Sequence, residues 1–143
     1  MEGDAKGFTL IELLVVISIV MLFSGIILAG LIGVRNQGKD ARIKSSMDQI
    51  RKGASVYQSY QGNYTGLGCG VTSPVNMQAL CNDVNSQSGS SPVFNAGTND
   101  YCAYTVMASS ATKWFCVSSV RGEAVETATN PDTTCAGASY DCP

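Results

Sequence analysis

Residues 6–34 read KGFTLIELLVVISIVMLFSGIILAGLIGV, and residues 13–34 of this stretch contain no charged residue and no proline. At about 1.5 Å per residue, a helix over residues 13–34 is roughly 33 Å long, which matches the hydrocarbon core of a bilayer at roughly 30 Å. The run also exceeds the roughly 7–15 apolar residues of a cleaved secretory signal. We therefore predict a membrane-spanning helix over residues 13–34.

The rest of the 143-residue chain has a different composition. Residues 35–143 are rich in Ser, Thr, Asn, Gly and Ala, so the overall hydrophobic fraction of 45% describes neither part. The chain contains no histidine, the commonest general base and a frequent zinc ligand. We therefore do not expect an enzyme, and no group of residues predicts a cofactor or a bound metal.

Six cysteines lie between residues 69 and 142. They are Cys69, Cys81, Cys102, Cys116, Cys135 and Cys142. Their even number and the absence of any CxxC pair indicate a disulfide framework, which persists only in an oxidising compartment. The positive-inside rule points the other way, because four Lys or Arg residues follow the apolar run closely and only Lys6 precedes it. We give the cysteines more weight and place the C-terminal part outside the cytoplasm.

Glu12 is an isolated acidic residue at the start of the apolar run. A carboxylate in an apolar spanning segment is costly unless it is paired or reaches water. Its side chain could extend to the nearby interface, since Glu12 lies about one helical turn from the polar leader. Alternatively, it could meet a cation inside the apolar layer. The physics of the sequence leaves both explanations open.

Residues Lys6–Glu12, followed directly by an apolar helix, resemble the processing signature of type IV pilins and the related pseudopilins. The resemblance implies that a membrane peptidase cleaves after Gly7 and methylates the new amino terminus, Phe8. It also implies that Glu12 pairs with the terminal amine of a neighbouring subunit. Such a buried pair would select an axial register more than it would add stability.

The same resemblance implies a function and a set of partners. The expected function is that of a structural subunit in a type IV pilus-like filament, a helical homo-oligomer. Prepilin peptidase, an assembly ATPase and a platform protein are the implied partners, and the subunit would wait in the inner membrane before it joins an extracellular filament.

Two alternatives to a pilus subunit stay open. One is a pseudopilin of a type II secretion or DNA-uptake system, and the other is a monomeric membrane-anchored extracellular binding domain. A nucleic-acid partner is not expected, because residues 62–143 contain only Lys113 and Arg121 to neutralise phosphates.

The helix is predicted to continue beyond the membrane. Apolar residues recur at helical spacing at Ile43, Met47, Ile50, Ala54 and Tyr57. We predict one helix from about residue 9 to residue 60, ended at Gly62 and Asn63, which both suit a left-handed cap. The domains would then be a leader (1–7), an assembly helix (8–34), an amphipathic stem (35–61) and a disulfide-stapled, β-rich head (62–143). The expected fold class is α+β, with the long helix packed on a small antiparallel sheet.

Two strands are predicted in the head, at residues 101–107 and 113–120, whereas residues 84–100 have the composition of a loop. Pairing Met107 with Lys113 puts Cys102 and Cys116 on the same face, near one another. We therefore predict a Cys102–Cys116 disulfide, and sequence proximity suggests Cys69–Cys81 and Cys135–Cys142. Six cysteines allow fifteen pairings, among which the sequence does not choose.

Charge divides unevenly along the chain. Residues 35–52 contain six Lys or Arg and two Asp, for a net charge of +4, while residues 53–143 contain two basic and six acidic residues, for −4. The basic segment could anchor the span at lipid headgroups. It could also meet the acidic head of another subunit, which would make assembly depend on salt.

Two short patterns in the head carry no prediction. Asp100, Asn130, Asp132 and Asp141 are possible calcium ligands, but their spacing is not that of an EF-hand, and we expect solvated loops. Asn63–Thr65 has the form of a glycosylation sequon, a three-residue pattern that often arises by chance.

Overall fold

The computed structural model describes residues 7–135 and 139–143, without the side chains of residues 27–32. Its elements are α1 (Leu10–Gln61), α2 (Met77–Ser88), β1 (Val93–Ala96), β2 (Tyr101–Val106), β3 (Trp114–Ser118) and β4 (Ala124–Thr127). The four strands form one antiparallel sheet in the order β1-β2-β3-β4. The predicted α+β class, a long N-terminal helix with a small antiparallel sheet, is confirmed. The chain forms two compact units, an N-terminal unit (Met1–Arg35) and a C-terminal unit (Asn36–Pro143).

Helix α1 has 52 residues and begins and ends close to the predicted positions. It ends at Gln61, and Gly62 follows with φ = 80°. The Gly62 N–H donates to the Gln58 carbonyl at 2.7 Å. This left-handed conformation suits glycine, which has no Cβ to clash with the preceding turn. The predicted left-handed cap is therefore confirmed at Gly62, while Asn63 does not adopt a positive φ.

In the N-terminal unit, the apolar side chains of α1 over residues 10–26 are exposed. Leu10 is 81% exposed, Val20 57% and Ile26 73%. No helix within the described residues combines the length and hydropathy needed to cross a membrane. The span predicted over residues 13–34 includes residues 27–32, whose side chains lie outside the described set.

In the C-terminal unit, α1 contributes one side of the core. Its predicted apolar stripe is buried, with Ile43, Met47, Ile50 and Ala54 at 0% exposure and Tyr57 at 7%. The stripe packs with residues of the sheet and of α2, which are Tyr101, Ala103, Phe115, Val117, Met77, Cys81 and Val84. The helical period of the sequence therefore identified the core face of α1 correctly.

Three elements, α2, β1 and β4, did not follow from the sequence pattern. The expectation of a loop over residues 84–100 is wrong in part, because α2 extends into this segment and β1 lies within it. Helix α2 is capped by Asn76, whose Oδ1 accepts from the Ala79 N–H at 3.0 Å, and it ends at Gly89 with φ = 80°. Its buried stripe consists of only Met77, Cys81 and Val84, and the Ser, Asn and Gln residues around it give the segment the composition of a loop. Strands β1 and β4 have four residues each, too few to show a clear period.

The register of the central hairpin, β2 with β3, is as predicted. Cys102 lies opposite Ser118 and Tyr104 lies opposite Cys116. The Met107 N–H donates to the Lys113 carbonyl at 2.9 Å, which closes the loop between the strands. Cys102 and Cys116 therefore share a face of the sheet, as diagonal and not direct neighbours.

The disulfides correct two of the three suggested pairings. Cys69–Cys81 is present, with Cα atoms 5.7 Å apart. Cys102 pairs with Cys135 and Cys116 with Cys142, each with Cα atoms 5.8 Å apart, so Cys102–Cys116 and Cys135–Cys142 are wrong. Diagonal cross-strand neighbours have Cβ atoms about 7 Å apart, whereas a disulfide needs about 3.5–4.5 Å. The C-terminal segment instead supplies one cysteine to each strand.

Candidate functional site

The start of α1 is organised by two polar side chains, Thr9 and Glu12. Gly7, Phe8 and Thr9 precede the helix in non-helical conformation. The Thr9 N–H and hydroxyl donate to Glu12 Oε2 at 2.9 and 2.7 Å, and Thr9 Oγ1 accepts from the Glu12 N–H at 3.4 Å. This reciprocal arrangement is a capping box, which satisfies N–H groups that the first turn leaves unpaired. It sets the start of α1 at Leu10.

The sequence analysis missed this role of Glu12. Its signal is Thr-x-x-Glu directly before an apolar run, which is the usual pattern of a capping box. Both Thr9 donors bind the same carboxylate oxygen, Oε2. The capping box is a third explanation for an acid at this place, and it leaves the pairing of Glu12 with a cation as an untested prediction.

The structure brings Phe8 and Glu12 to one place. Together with Ile11, Val15 and Val16, they line a shallow groove of about 370 Å³. Phe8 is 80% exposed, and the backbone at Gly7 has open space around it. The Gly7–Phe8 peptide therefore lies outside the helix and is open to another protein, beside a carboxylate in apolar surroundings.

Ionic and polar contacts join α1 to α2 and to strand β4. The Arg42 guanidinium lies 2.6 Å from the Asp83 carboxylate on α2, and the Ser46 hydroxyl donates to the same carboxylate at 2.6 Å. These two bonds hold the pKa of Asp83 below its usual value. Lys44 pairs with Glu126 of β4 at 2.6 Å. Part of the charge contrast along the sequence is thus neutralised within one chain.

The face of the sheet that carries Cys102 and Cys116 has its own small core. Its buried members are Cys102, Tyr104, Cys116, Cys135 and Cys142. The Tyr104 hydroxyl donates to Asp132 at 2.6 Å, and burial together with this carboxylate raises the pKa of Tyr104 to about 12. Two disulfides thus cover a face whose strands offer few apolar side chains.

The possible calcium ligands have partners in their own chain. Asp141 pairs with Arg121 at 2.8 Å, and Asp100 accepts from the Ser119 hydroxyl at 3.1 Å. Within residues 7–135 and 139–143, no group of three or more acidic, Cys or His residues could hold a metal ion. At the sequon, Asn63 Oδ1 accepts from the Thr65 N–H at 2.9 Å, which forms a local turn.

Comparison with known proteins agrees with this geometry. Residues 4–28 match the prokaryotic N-terminal methylation motif, which includes Gly7, Phe8 and the capping box. The match places the chain in the class of prokaryotic proteins that carry this motif at the start of an apolar helix.

A curated relative makes the assignment more specific. The chain is 27% identical over 119 residues to the type IV wide pilus major component PilA4 of Thermus thermophilus, and the alignment covers 83% of this chain and 86% of the relative. No solved structure is significantly similar. With the methylation motif and the α+β fold, this similarity identifies the chain as a type IV pilin-like protein. Pilins are structural proteins, so the similarity supports a filament subunit and gives no indication of catalysis.

Proposed function

We propose that this protein is a structural subunit of a type IV pilus-like extracellular filament, cleaved after Gly7 and methylated on the amino group of Phe8. The observation that carries the proposal is the arrangement at the start of α1. An exposed Gly7–Phe8 peptide and Glu12 share one groove, at the head of a helix whose apolar side chains are exposed. The methylation motif over residues 4–28 supports the same processing.

Assembly would bury the exposed apolar side chains of α1 against the same helix in neighbouring subunits. Burial of apolar surface contributes roughly 25 cal/mol per Å², so a helix exposed from Leu10 to Ile26 offers a large driving force. This driving force is not directional, so it does not fix the axial position of one subunit relative to its neighbour. A specific polar pair inside the packed helices would supply the register.

Cleavage would create the cation that this pair requires, the amino group of Phe8. In the proposed filament, the amine of one subunit meets the Glu12 carboxylate of another. Thr9 uses Oε2 of Glu12, so Oε1 is the oxygen that would accept from the incoming amine. The capping box holds the side chain beside the groove in the meantime.

Before assembly, the subunit would be held in the cytoplasmic membrane through residues 13–34, with residues 62–143 outside the cytoplasm. The three disulfides support this placement, because such bonds persist in oxidising compartments. The proposal includes a prepilin peptidase, an assembly ATPase and a platform protein as partners. It divides the chain into the leader, the assembly helix, the stem and the head at the predicted boundaries.

One observation favours a pilus subunit over a secretion pseudopilin or a monomeric binding domain. The relative that aligns with 83% of this chain is named as the major component of a wide pilus. A major component is a repeated building block, which agrees with an exposed apolar helix that needs many identical neighbours.

The test is to shear filaments from cells that express the chain, image them by electron microscopy and sequence the subunit amino terminus by mass spectrometry. We expect filaments whose subunits begin at methylated Phe8. A Glu12→Ala variant should be present at normal levels in the cell and absent from sheared material, because it lacks the register pair. Filaments of normal yield from Glu12→Ala, or subunits that still begin at Met1, would contradict the proposal.

A further inference from the structure

The C-terminal unit has two ends, which its contacts with α1 define. At the lower end, the loop between β2 and β3 meets the first part of the stem, where the Ser109 N–H donates to Asp40 at 3.1 Å. At the upper end, the turn between β3 and β4 meets Arg51, whose guanidinium donates to the Gly122 carbonyl at 3.0 Å. Asp40 and Arg51 are separated by about 16 Å along the helix.

Most charged side chains of this unit have partners in their own chain. The ion pairs are Arg42–Asp83, Lys44–Glu126, Arg51–Asp48, Lys52–Asp48 and Arg121–Asp141. The carboxylates of Asp40, Asp100 and Asp132 accept hydrogen bonds from Ser109, Ser119 and Tyr104. Among the described residues of the unit, three charged side chains remain without an ionic or hydrogen-bond partner: Lys39, Lys113 and Glu123.

These three side chains are divided between the two ends by sign. Lys39 and Lys113 lie at the lower end, where Lys113 lines an open, polar groove of about 510 Å³ together with Asp40, Lys44 and Glu126. The two carboxylates of this groove have partners in their own chain, since Asp40 accepts from the Ser109 N–H and Glu126 pairs with Lys44. Glu123 lies at the upper end, exposed, between Gly122 and strand β4. One end therefore offers free ammonium groups and the other a free carboxylate.

We propose that the C-terminal units of successive copies contact one another head to tail, with Glu123 of one copy against Lys113 in the groove of the next. The inference rests on the proposed filament and names the surface that its coat uses. Complementary charges at opposite ends of one unit favour a heterologous contact, which repeats along an open helical assembly. A two-fold dimer through either end would bring like charges together, which is unfavourable.

The test is charge reversal in the full chain, measured as the yield of sheared filaments. Lys113→Glu and Glu123→Lys should each lower the yield by at least about tenfold, because each puts like charges in every contact. The double variant should recover most of the yield, since every contact regains an opposite pair in reversed order. Lys52→Glu is the matched control, because it makes the same charge change at a side chain that pairs within its own chain.

Two further measurements separate this inference from a folding defect and from the proposed function. Cellular levels and thermal unfolding of each variant show whether the chain still folds, and Lys113→Gln provides a milder change whose yield should lose its dependence on salt. Single reversals with normal yield, or a folded double variant no better than the singles, would overturn the contact. If the unaltered chain makes no filaments at all, the proposed function itself fails.

Discussion

In the N-terminal unit, the described apolar side chains of α1 are exposed, whereas in the C-terminal unit the same helix buries its apolar stripe. Ile17 is 47% exposed and Ile50 is 0% exposed, although both belong to one continuous helix. The C-terminal unit completes its core with the sheet, α2 and three disulfides. The comparison teaches that one half of α1 stabilises the folded chain, while the other half leaves apolar side chains available for the contacts of the proposed filament.

The largest effect on folding is expected from the disulfide that closes the longest loop. Cys102 and Cys135 are 33 positions apart in the sequence, against 12 for Cys69 and Cys81. Replacing Cys102 and Cys135 by Ser should lower the free energy of unfolding by about 3–4 kcal/mol, mainly because the unfolded chain gains freedom. Thermal unfolding of the purified chain in detergent would measure this, with the Cys69→Ser, Cys81→Ser pair as a comparison. A smaller loss for Cys102 and Cys135 than for Cys69 and Cys81 would contradict the expectation.

A matched pair of isoleucine variants compares the two units directly. Ile50→Ala removes a fully buried side chain and should cost about 2–5 kcal/mol of unfolding free energy. Ile17→Ala should leave unfolding within about 0.5 kcal/mol, as for a surface substitution, and should lower filament yield instead. Unfolding curves and shear assays on both variants provide the check. An Ile17→Ala variant that destabilises the chain as much as Ile50→Ala would remove the distinction between the units.

A smaller effect is expected at the start of α1. Thr9→Ala removes the side chain that accepts from the Glu12 N–H and donates to its carboxylate, and should cost about 1 kcal/mol of local helix stability. Hydrogen exchange of the first-turn amides should quicken, while the C-terminal unit keeps its unfolding temperature. Thr9→Ser should behave like the original chain, because serine also caps a helix. Unchanged exchange in Thr9→Ala would mean that the capping box contributes nothing to the helix end.

The smallest effect is expected from the ion pair between α1 and α2. The pKa of Asp83 is held below its usual value in the folded chain by Arg42 and Ser46. Stability from this carboxylate is therefore present above the unfolded pKa of about 4, and it is lost as pH falls through the lower folded pKa. Asp83→Asn should flatten the loss of stability below pH ~4, in acid titrations followed by circular dichroism. An unchanged acid profile would show that the pair has no net effect.

Patterns that repeat within α1 were predictable from local sequence. The buried stripe from Ile43 to Tyr57 follows the helical period, and Gly62 ends the helix because it accepts a left-handed backbone. The central hairpin register also followed, because the loop between Met107 and Lys113 constrains both strands. Helix α2 and strands β1 and β4 were not predicted, because each is short and depends on neighbours that lie far away in sequence.

In the candidate site, too, local features were predictable and contacts between distant residues were not. Gly7, Phe8 and Glu12 were predicted as site residues from seven consecutive residues, and the structure places Phe8 and Glu12 in one groove. The bond between Thr9 and Glu12 was also readable from local spacing, since a capping box spans a single turn. The sequence could not predict that Lys113 and Glu123 lack a partner among the described residues of their own chain. That depends on which other charged side chains pair with one another in the folded unit.

The apolar run, the lone glutamate and the six cysteines indicate the class of this protein, because the first two form a local pattern and the number of cysteines counts without knowledge of their pairing. The pairing of Cys102 with Cys135 and of Cys116 with Cys142 depends instead on where the C-terminal segment crosses the sheet. A sequence pattern predicts which side chains will be buried or paired. Which partner each one meets is a matter of distances in three dimensions, and only the folded chain sets those distances.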